Sequence, residues 1–382
     1  MSRNFFLSLF VLATLLTSDY VWAEAPLIPA QTITSKLEMV VYVDTGEGFD
    51  KIGTTPGTVE SPQCIRRFFV PTGLTDENVT AYKKELSRLG IRSVGLGGII
   101  NAGLKTYADV GLFTNLTSLY LGHCESLTDI TPLAKLQNLT LLDLSDCESL
   151  TDIAPLAKLQ KLTTLDLSDC DKLTDIAPLA KLQKLTTLDL SDCDKLTDIK
   201  SLAKLQNLTS LDLSYCNRLT DITPLTNLQN LTSLNLGGGD ILFGGGTDLT
   251  DIAPLAALRK LTVLNLRSCK KIRDLQPLAW LPDLVALDLG ECSKIKSFYP
   301  ISGHKKLQKL IVTIPNNDLA FLRNLQQLKE LQLSNCPRLS NLEPLARLRK
   351  LTTLHFHRCK LVTQEKVDAL KKKLPYCSIG QE

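Results

Sequence analysis

The chain has 382 residues, 44% of them hydrophobic but only 5% aromatic, so a sizeable core is possible and it must be aliphatic. A formal net charge of +3 is too small to argue for nucleic acid or a membrane as the partner of the whole chain. Arg3 gives a short positive start, and Phe5 to Leu16 form an uncharged apolar run too short to span a bilayer. Val21 and Ala23 hold the small-residue positions of a cleavage site. Residues 1–23 are therefore expected to be a signal peptide whose removal leaves Glu24 as the mature N-terminus. No cysteine follows the run to carry a lipid, and no later run is long enough to cross a membrane. The expected mature chain is exported, either secreted or periplasmic.

Residues 24–90 are expected to form an N-terminal cap and flanking segment. They hold a strand over Leu37 to Val43 and then a loop rich in Gly, Thr and Pro. A helix is expected from Asp76 to Leu89, with Thr75 as its N-cap and Gly90 ending it. From residue 91 to 362 one pattern recurs. Ile91, Val94 and Leu96 begin a worn copy, and LxxLxLxxC then starts at Leu116, Leu139, Leu162, Leu185, Leu208, Leu261, Leu284, Leu328 and Leu351, sometimes with Ile, Val or Phe for Leu. Frames at Leu231 and Leu307 keep the leucines without the cysteine. Eleven cysteines in an exported chain suggest disulfides, but Cys124, Cys147, Cys170, Cys193 and Cys216 stand 23 residues apart, which is a repeat signature. Neighbouring repeat thiols on parallel Cα–Cβ vectors are unsuited to bridging, so they are expected to be reduced and buried, with Cys64 and Cys377 at opposite ends.

The pattern resembles the leucine-rich-repeat family over roughly residues 91 to 375, and LTDIAPLAKLQ is similar to bacterial secreted repeats of the internalin type. The resemblance implies an α/β solenoid, right-handed, with a parallel sheet on its concave face and short helices or turns on the convex side. The spacing agrees: LxL has the period of a strand, and Thr174 to Leu182, with Pro178, returns the chain along the other side. One copy cannot bury its leucines alone, so stacking makes a continuous core. Residues 363–382 are expected to form a C-terminal helical cap: Thr363 begins a helix running to Leu374, stopped by Pro375, with Val367, Leu370 and Leu374 facing the last repeat. Lys371 to Lys373 belong to its solvated face.

Little in the chain carries chemistry. Gly95-Leu-Gly97-Gly98-Ile-Ile100 lacks the last glycine of a dinucleotide loop, and none of the four histidines sits in a helix-borne metal motif. His355 and His357 flank inward-facing Phe356, about 6.6 Å apart along a strand. They are weak metal candidates, because the next strand offers only Gln332, Ser334 and Asn335. No cofactor and no catalytic residue is expected. Asp143, Asp166, Asp189 and Asp212 share one outward strand position in successive copies. Stacked carboxylates repel, which favours a cation or a basic partner, although water screens an open face. Asp152, Asp175, Asp198, Asp221 and Asp251 are expected to cap the convex turns.

The copy starting at Leu231 is 30 residues long, with its extra residues within 237–248. There two glycine triplets flank Ile241, Leu242 and Phe243, an apolar tip suited to a partner contact. The stretch also looks like a lone, compressed calcium-binding nonapeptide, or a plain insertion. Residues 261–382 hold 21 Lys and Arg against 10 Asp and Glu, while the remainder holds 22 against 30, so the small net charge hides a polarity along the chain. The expected function is non-catalytic binding of a protein or peptide outside the cytoplasm, through the concave face and the inserted loop. A structural spacer or envelope component is the alternative, favoured by the near-identical copies between Leu139 and Asn207. An effector-type enzyme, such as a ubiquitin ligase, would carry a further catalytic domain after the repeats, and only the cap follows.

Overall fold

The computed structural model describes residues 31–35, 40–44, 49–54, 57–61, 66–70, 79–95, 107–238 and 247–381. The expected leader, Cys64, Thr75, Leu96 and the tip Ile241 to Phe243 lie outside them. The chain forms two compact units, Met1–Lys195 and Leu196–Glu382.

One coil of the first unit shows how the repeat folds. In Leu162 to Lys184, Thr164–Asp166 form a short strand that puts Leu165 inward; Leu167 comes next, also buried. Asp169 then turns the chain at φ 55°, a left-handed conformation that Asp tolerates better than most residues. Cys170, Leu173, Ile176, Leu179 and Leu182 line the way back, each at most 2% exposed. The return leg carries a single 3-10 turn, Ala177–Lys181, with Pro178 near its start, where a missing N–H costs nothing. Asp175 accepts the Ala177 N–H at 2.8 Å and so caps the turn. Asp152, Asp198, Asp221 and Asp251 do the same for Ala154, Lys200, Thr223 and Ala253, all at 2.8 Å, as expected.

Successive coils are tied by three kinds of bond. Strands β6 (Ser93–Gly95), β7 (Ser118–Tyr120), β8 (Leu141–Asp143), β9 (Thr164–Asp166) and β10 (Thr187–Asp189) pair in parallel, leucine beside leucine: Leu142↔Leu165↔Leu188. Just before β8, β9 and β10 a threonine hydroxyl donates to the threonine carbonyl one coil back, as Thr163 does to Thr140 and Thr186 to Thr163, both at 3.0 Å. Cys147, Cys170, Cys193, Cys269, Cys292 and Cys359 each add a third link, a thiol bond to a leucine carbonyl one coil back. Cys170 Sγ–H donates to the Leu144 carbonyl at 3.4 Å and Cys193 to that of Leu167 at 3.3 Å. The ten described cysteines are buried thiols, and burial raises the Cys147, Cys170, Cys269 and Cys292 pKa values, that of Cys269 to about 12. A buried small thiol that finds a carbonyl satisfies both its volume and its weak donor.

Before these coils, β1 (Gln31–Ser35) pairs antiparallel with β4 (Gly57–Ser61), and β2 (Val40–Asp44) pairs antiparallel with both β3 (Phe49–Thr54) and β5 (Arg66–Val70), which in turn pairs in parallel with β6 through Phe69 and Val94. The edge of the first repeat is thereby paired rather than left open. The strand expected at Leu37 to Val43 is thus found as β2. Helix α1 (Val79–Arg88) ends at Gly90, whose φ of +66° lets Ile91 N–H reach back to the Leu86 carbonyl at 2.8 Å.

The second unit repeats the same coil. Its strands β11 (Ser210–Asp212), β12 (Ser233–Asn235), β13 (Val263–Asn265), β14 (Ala286–Leu289), β15 (Lys309–Val312), β16 (Glu330–Ser334), β17 (Thr353–His357) and β18 (Ser378–Gln381) pair in parallel in that order. Where the coil at Leu307 is shortened and lacks the cysteine, buried Ile314 stands instead, and its N–H donates to Cys336 Sγ at 3.3 Å. Phe298 and Phe321 stack there with centroids 5.2 Å apart, replacing aliphatic volume. Helix α2 (Gln364–Lys373) buries Val367, Leu370 and Leu374, as expected. Thr363 precedes it with extended backbone, but its side chain makes no capping bond. After Pro375 the chain adds β18, a strand the sequence pattern did not announce.

Candidate interaction surface

The outward strand positions form columns running across each sheet. In the first column, Asp143, Asp166 and Asp189 stand in register on β8, β9 and β10, and Asp212 holds the same place on β11. These carboxylates are less open than an outward position suggests: Asp166 is 5% exposed, Asp189 9% and Asp212 2%, with Asp143 half-buried. The reason is local. Each side chain folds along the sheet and accepts, on one oxygen, both the N–H and the hydroxyl of the serine two residues on. For Asp166 these bonds from Ser168 are 2.9 and 2.6 Å; for Asp189, from Ser191, 2.9 and 2.6 Å; for Asp143, from Ser145, 2.9 and 2.7 Å. Asp212 adds a bond to its second oxygen, from Asn235 Nδ2 at 2.9 Å.

Burial and mutual repulsion outweigh these bonds. Burial first, then the Asp143 charge, pushes the Asp166 carboxyl up to about 7, and burial raises Asp143 and Asp212 as well. Further along, Asn235 and Asn265 take the same column position and use Oδ1 in the same way, accepting Gly237 N–H at 3.0 Å and Arg267 N–H at 2.8 Å. A second acidic column, Asp146, Asp169 and Asp192, occupies the left-handed turn. Burial and Asp146 raise Asp169 to about 6, and His123 Nδ1 lies 3.2 Å from Asp146 Oδ2. Sequence reasoning passed over His123. The signal was its register: His123 stands one residue before Cys124, the place that Asp146 and Asp169 hold before Cys147 and Cys170.

In the second unit the same columns carry mixed chemistry. Lys309 and Glu330, in register on β15 and β16, pair at 3.2 Å, and Arg267 lies 3.9 Å from Asp288. Asn335 Nδ2 donates to Glu291, spanning the cysteine-less coil between them. His355 is exposed and His357 half-buried on β17. Gly380, paired with His355, carries no Cβ, and one would stand 2.7 Å from His355 Nδ1. Among the described residues no group of three or more His, Cys, Asp or Glu side chains could hold a metal ion.

The insert keeps the coil register: Ser233, Leu234 and Asn235 still pair with Val263, Leu264 and Asn265. Its two stems are fastened. Gly238 N–H donates to the Arg267 carbonyl at 2.8 Å, Thr247 hydroxyl to Cys269 Sγ at 3.2 Å, and Asp248 pairs with Lys271 at 2.6 Å. Ile241, Leu242 and Phe243 lie outside the described residues, between those stems.

A leucine-lined coil with a parallel strand on one side and a 3-10 turn on the other, stacked many times over, defines the class of the fold: it is a leucine-rich-repeat solenoid. The family descriptions "Leucine Rich repeats (2 copies)", over residues 114–158 and 160–204, and "Leucine Rich repeat", over 204–222, match it. Within that class it is similar to bacterial internalin-like proteins. An internalin (inlF) from Listeria monocytogenes is 25% identical, with 80% of this chain and 93% of that one covered and a TM-score of 0.56. Internalin C2 from the same organism is 33% identical over 54% of this chain and 82% of that one, with a TM-score of 0.43. The functional domain of InlJ from Listeria monocytogenes, described as including a cysteine ladder, is 21% identical over 78% and 64%, with a TM-score of 0.49. No curated protein matches. Stacked repeats of this class generally serve as protein-interaction modules. Among the described residues no helix is long and apolar enough to cross a membrane.

Proposed function

We propose that this chain is a non-catalytic, extracytoplasmic protein-binding module whose recognition surface is the sheet face of the second unit together with the insert at 237–248. One observation carries the reading: along that face the outward positions vary from coil to coil. Asp288, Lys309, Glu330, Gln332 and His355 differ in charge and shape, on strands held in strict register, and Arg267 follows just beyond β13. A rigid array of unlike side chains is what discrimination between partners requires. The fastened stems and the intact register of Ser233 to Asn235 with Val263 to Asn265 support reading Ile241, Leu242 and Phe243 as a contact added to the coil rather than part of its core.

The first unit supports a second reading for itself. Its Asp column spends one oxygen per residue on its own turn, and its coils are near copies. It acts as a spacer, with Asp143, Asp166 and Asp189 supplying a general attraction for basic partners rather than specificity. The test is capture of partners by the exported chain, beside versions lacking Asp240 to Gly246 or carrying Lys309→Glu with Gln332→Ala. A partner retained equally by all three would remove the assignment. Loss in both variants, with Asp166→Asn unaffected, is the expected result.

A further inference from the structure

The side of the second unit opposite its sheet carries two aromatic side chains that the protein-binding reading does not use. Trp280 is 62% exposed and Tyr299 76% exposed. Trp280 ends the 3-10 turn Gln276–Trp280, and Tyr299 begins the next one, Tyr299–Gly303. At the place of Trp280, the turn before has Ala257 and the turn after has Gly303, whose absent Cβ would meet nothing within 4 Å. The indole therefore stands up with both flanks open. In the first unit, the same place is held by Lys135, Lys158 and Lys181. Around the pair, the turns and their exits present exposed Arg259, Lys260, Lys305, Lys306, Arg323 and Arg347. Against them the same legs carry exposed Asp251, Asp274 and Asp318, each spending a carboxylate oxygen on capping its own turn, with Asp283 bonded to Lys306 and Glu343 to Lys373.

We infer that this face docks on an anionic lipid surface, with Trp280 and Tyr299 dipping into the interface and the cations at its rim. Charge complementarity selects the occupant. The near-neutral whole chain conceals 21 Lys and Arg against 10 Asp and Glu in residues 261–382. A sugar site would need polar side chains converging on the ring, and the row neighbours of Trp280 are Ala257 and Gly303, which offer none. A protein partner would need a pocket or a continuous apolar patch. A lipid interface asks only for amphipathic aromatics that are free to enter and for nearby cations.

The chain has two tryptophans, and the other, Trp22, falls within the expected leader. In the exported chain without its leader, emission therefore reports Trp280 alone, and a Trp22→Phe precursor serves as the control for any retained leader. Vesicles of equal parts phosphatidylglycerol and phosphatidylcholine should shift that emission to the blue and sediment the protein, whereas phosphatidylcholine alone should do neither. Trp280→Ala and Tyr299→Ala should each weaken sedimentation about tenfold, and raised salt should weaken it further. Both side chains are exposed, so unchanged circular dichroism and melting will certify the fold of the variants. The inference is overturned by an unshifted emission with anionic vesicles, by sedimentation that survives the double substitution, or by the same shift with a soluble anionic polysaccharide and no lipid.

Discussion

Asp166→Asn is expected to stabilise the protein at pH 8 and to do little at pH 4. The carboxyl is 5% exposed and its folded pKa is raised to about 7, against 3.8 for the free side chain. A raised folded pKa means that the native state holds the proton more tightly than the unfolded chain. The contribution to stability is full below pH 3.8 and is lost as pH rises towards 7. About three pKa units correspond to a ceiling of about 4 kcal/mol. Coupling to Asp143 shares part of that cost with a second group, so about 1–2 kcal/mol is the expected gain at pH 8. The amide keeps the acceptor that Ser168 uses through its N–H and hydroxyl. It also gains a donor for the carboxylate one coil back, the arrangement that Asn235 already makes with Asp212 at 2.9 Å. Urea melts of both proteins at pH 4 and pH 8 measure the difference. An equal effect at the two pH values, or a loss of stability at pH 8, would refute the view that buried charge is what this column costs.

Three further outcomes are expected. His304 is buried where neighbouring coils carry Leu281 and Leu325, its Nε2 has no partner, and burial lowers its pKa, so it folds neutral. Its cost appears as pH falls below the ordinary histidine value of about 6.5, and His304→Leu should raise the melting temperature more at pH 5 than at pH 7.5. Asp169→Ala should cost about 1 kcal/mol in urea melts and Asp169→Gly less, because φ at that residue is 55° and only glycine enters that region freely. Native thiol labelling with mass spectrometry as the readout should leave Cys147, Cys170, Cys269 and Cys292 unmodified until denaturant is added, since their pKa values are raised and their sulfurs lie inside the stack.

Much of this coil was legible because each buried position recurs with the same residue type. Leu165, Leu167, Cys170 and Leu179 could be placed inward from the LxLxxC spacing and the stacking argument alone. The turn-capping role of Asp175 was equally readable, since an Asp two residues before a turn has one local partner to accept from. What escaped the pattern depends on contacts between coils or on backbone geometry. Side-chain alternation places Asp166 outward, but it does not reveal that Ser168 will draw the carboxylate down and that the next coil will cover it. The left-handed residue before each cysteine is invisible because Tyr215, Glu291 and Arg358 take that conformation as well as Asp. Trp280 and Tyr299 stand in the sequence as aromatics at places where other copies carry Lys or Ala. Their meaning lies in how far they are exposed and in what flanks them, and a repeat pattern states neither.

Among the near-identical copies the ties described above each join a coil to the one a single period before it. The Thr186 hydroxyl finds Thr163, the Cys193 thiol finds Leu167, and the Leu188 strand residue lies beside Leu165. Excising residues 162–184 would bring the coil that starts at Leu185 against the one that starts at Leu139. Thr140, Leu144 and Leu142 would then offer the same carbonyls and the same strand edge. No bond type is lost; one set simply drops out. The length of this molecule is therefore quantised. Between its near-identical copies it can grow or shrink by a whole turn of 23 residues through an in-frame recombination, whereas a cut of another size inside those copies shifts the LxL frame against its neighbour.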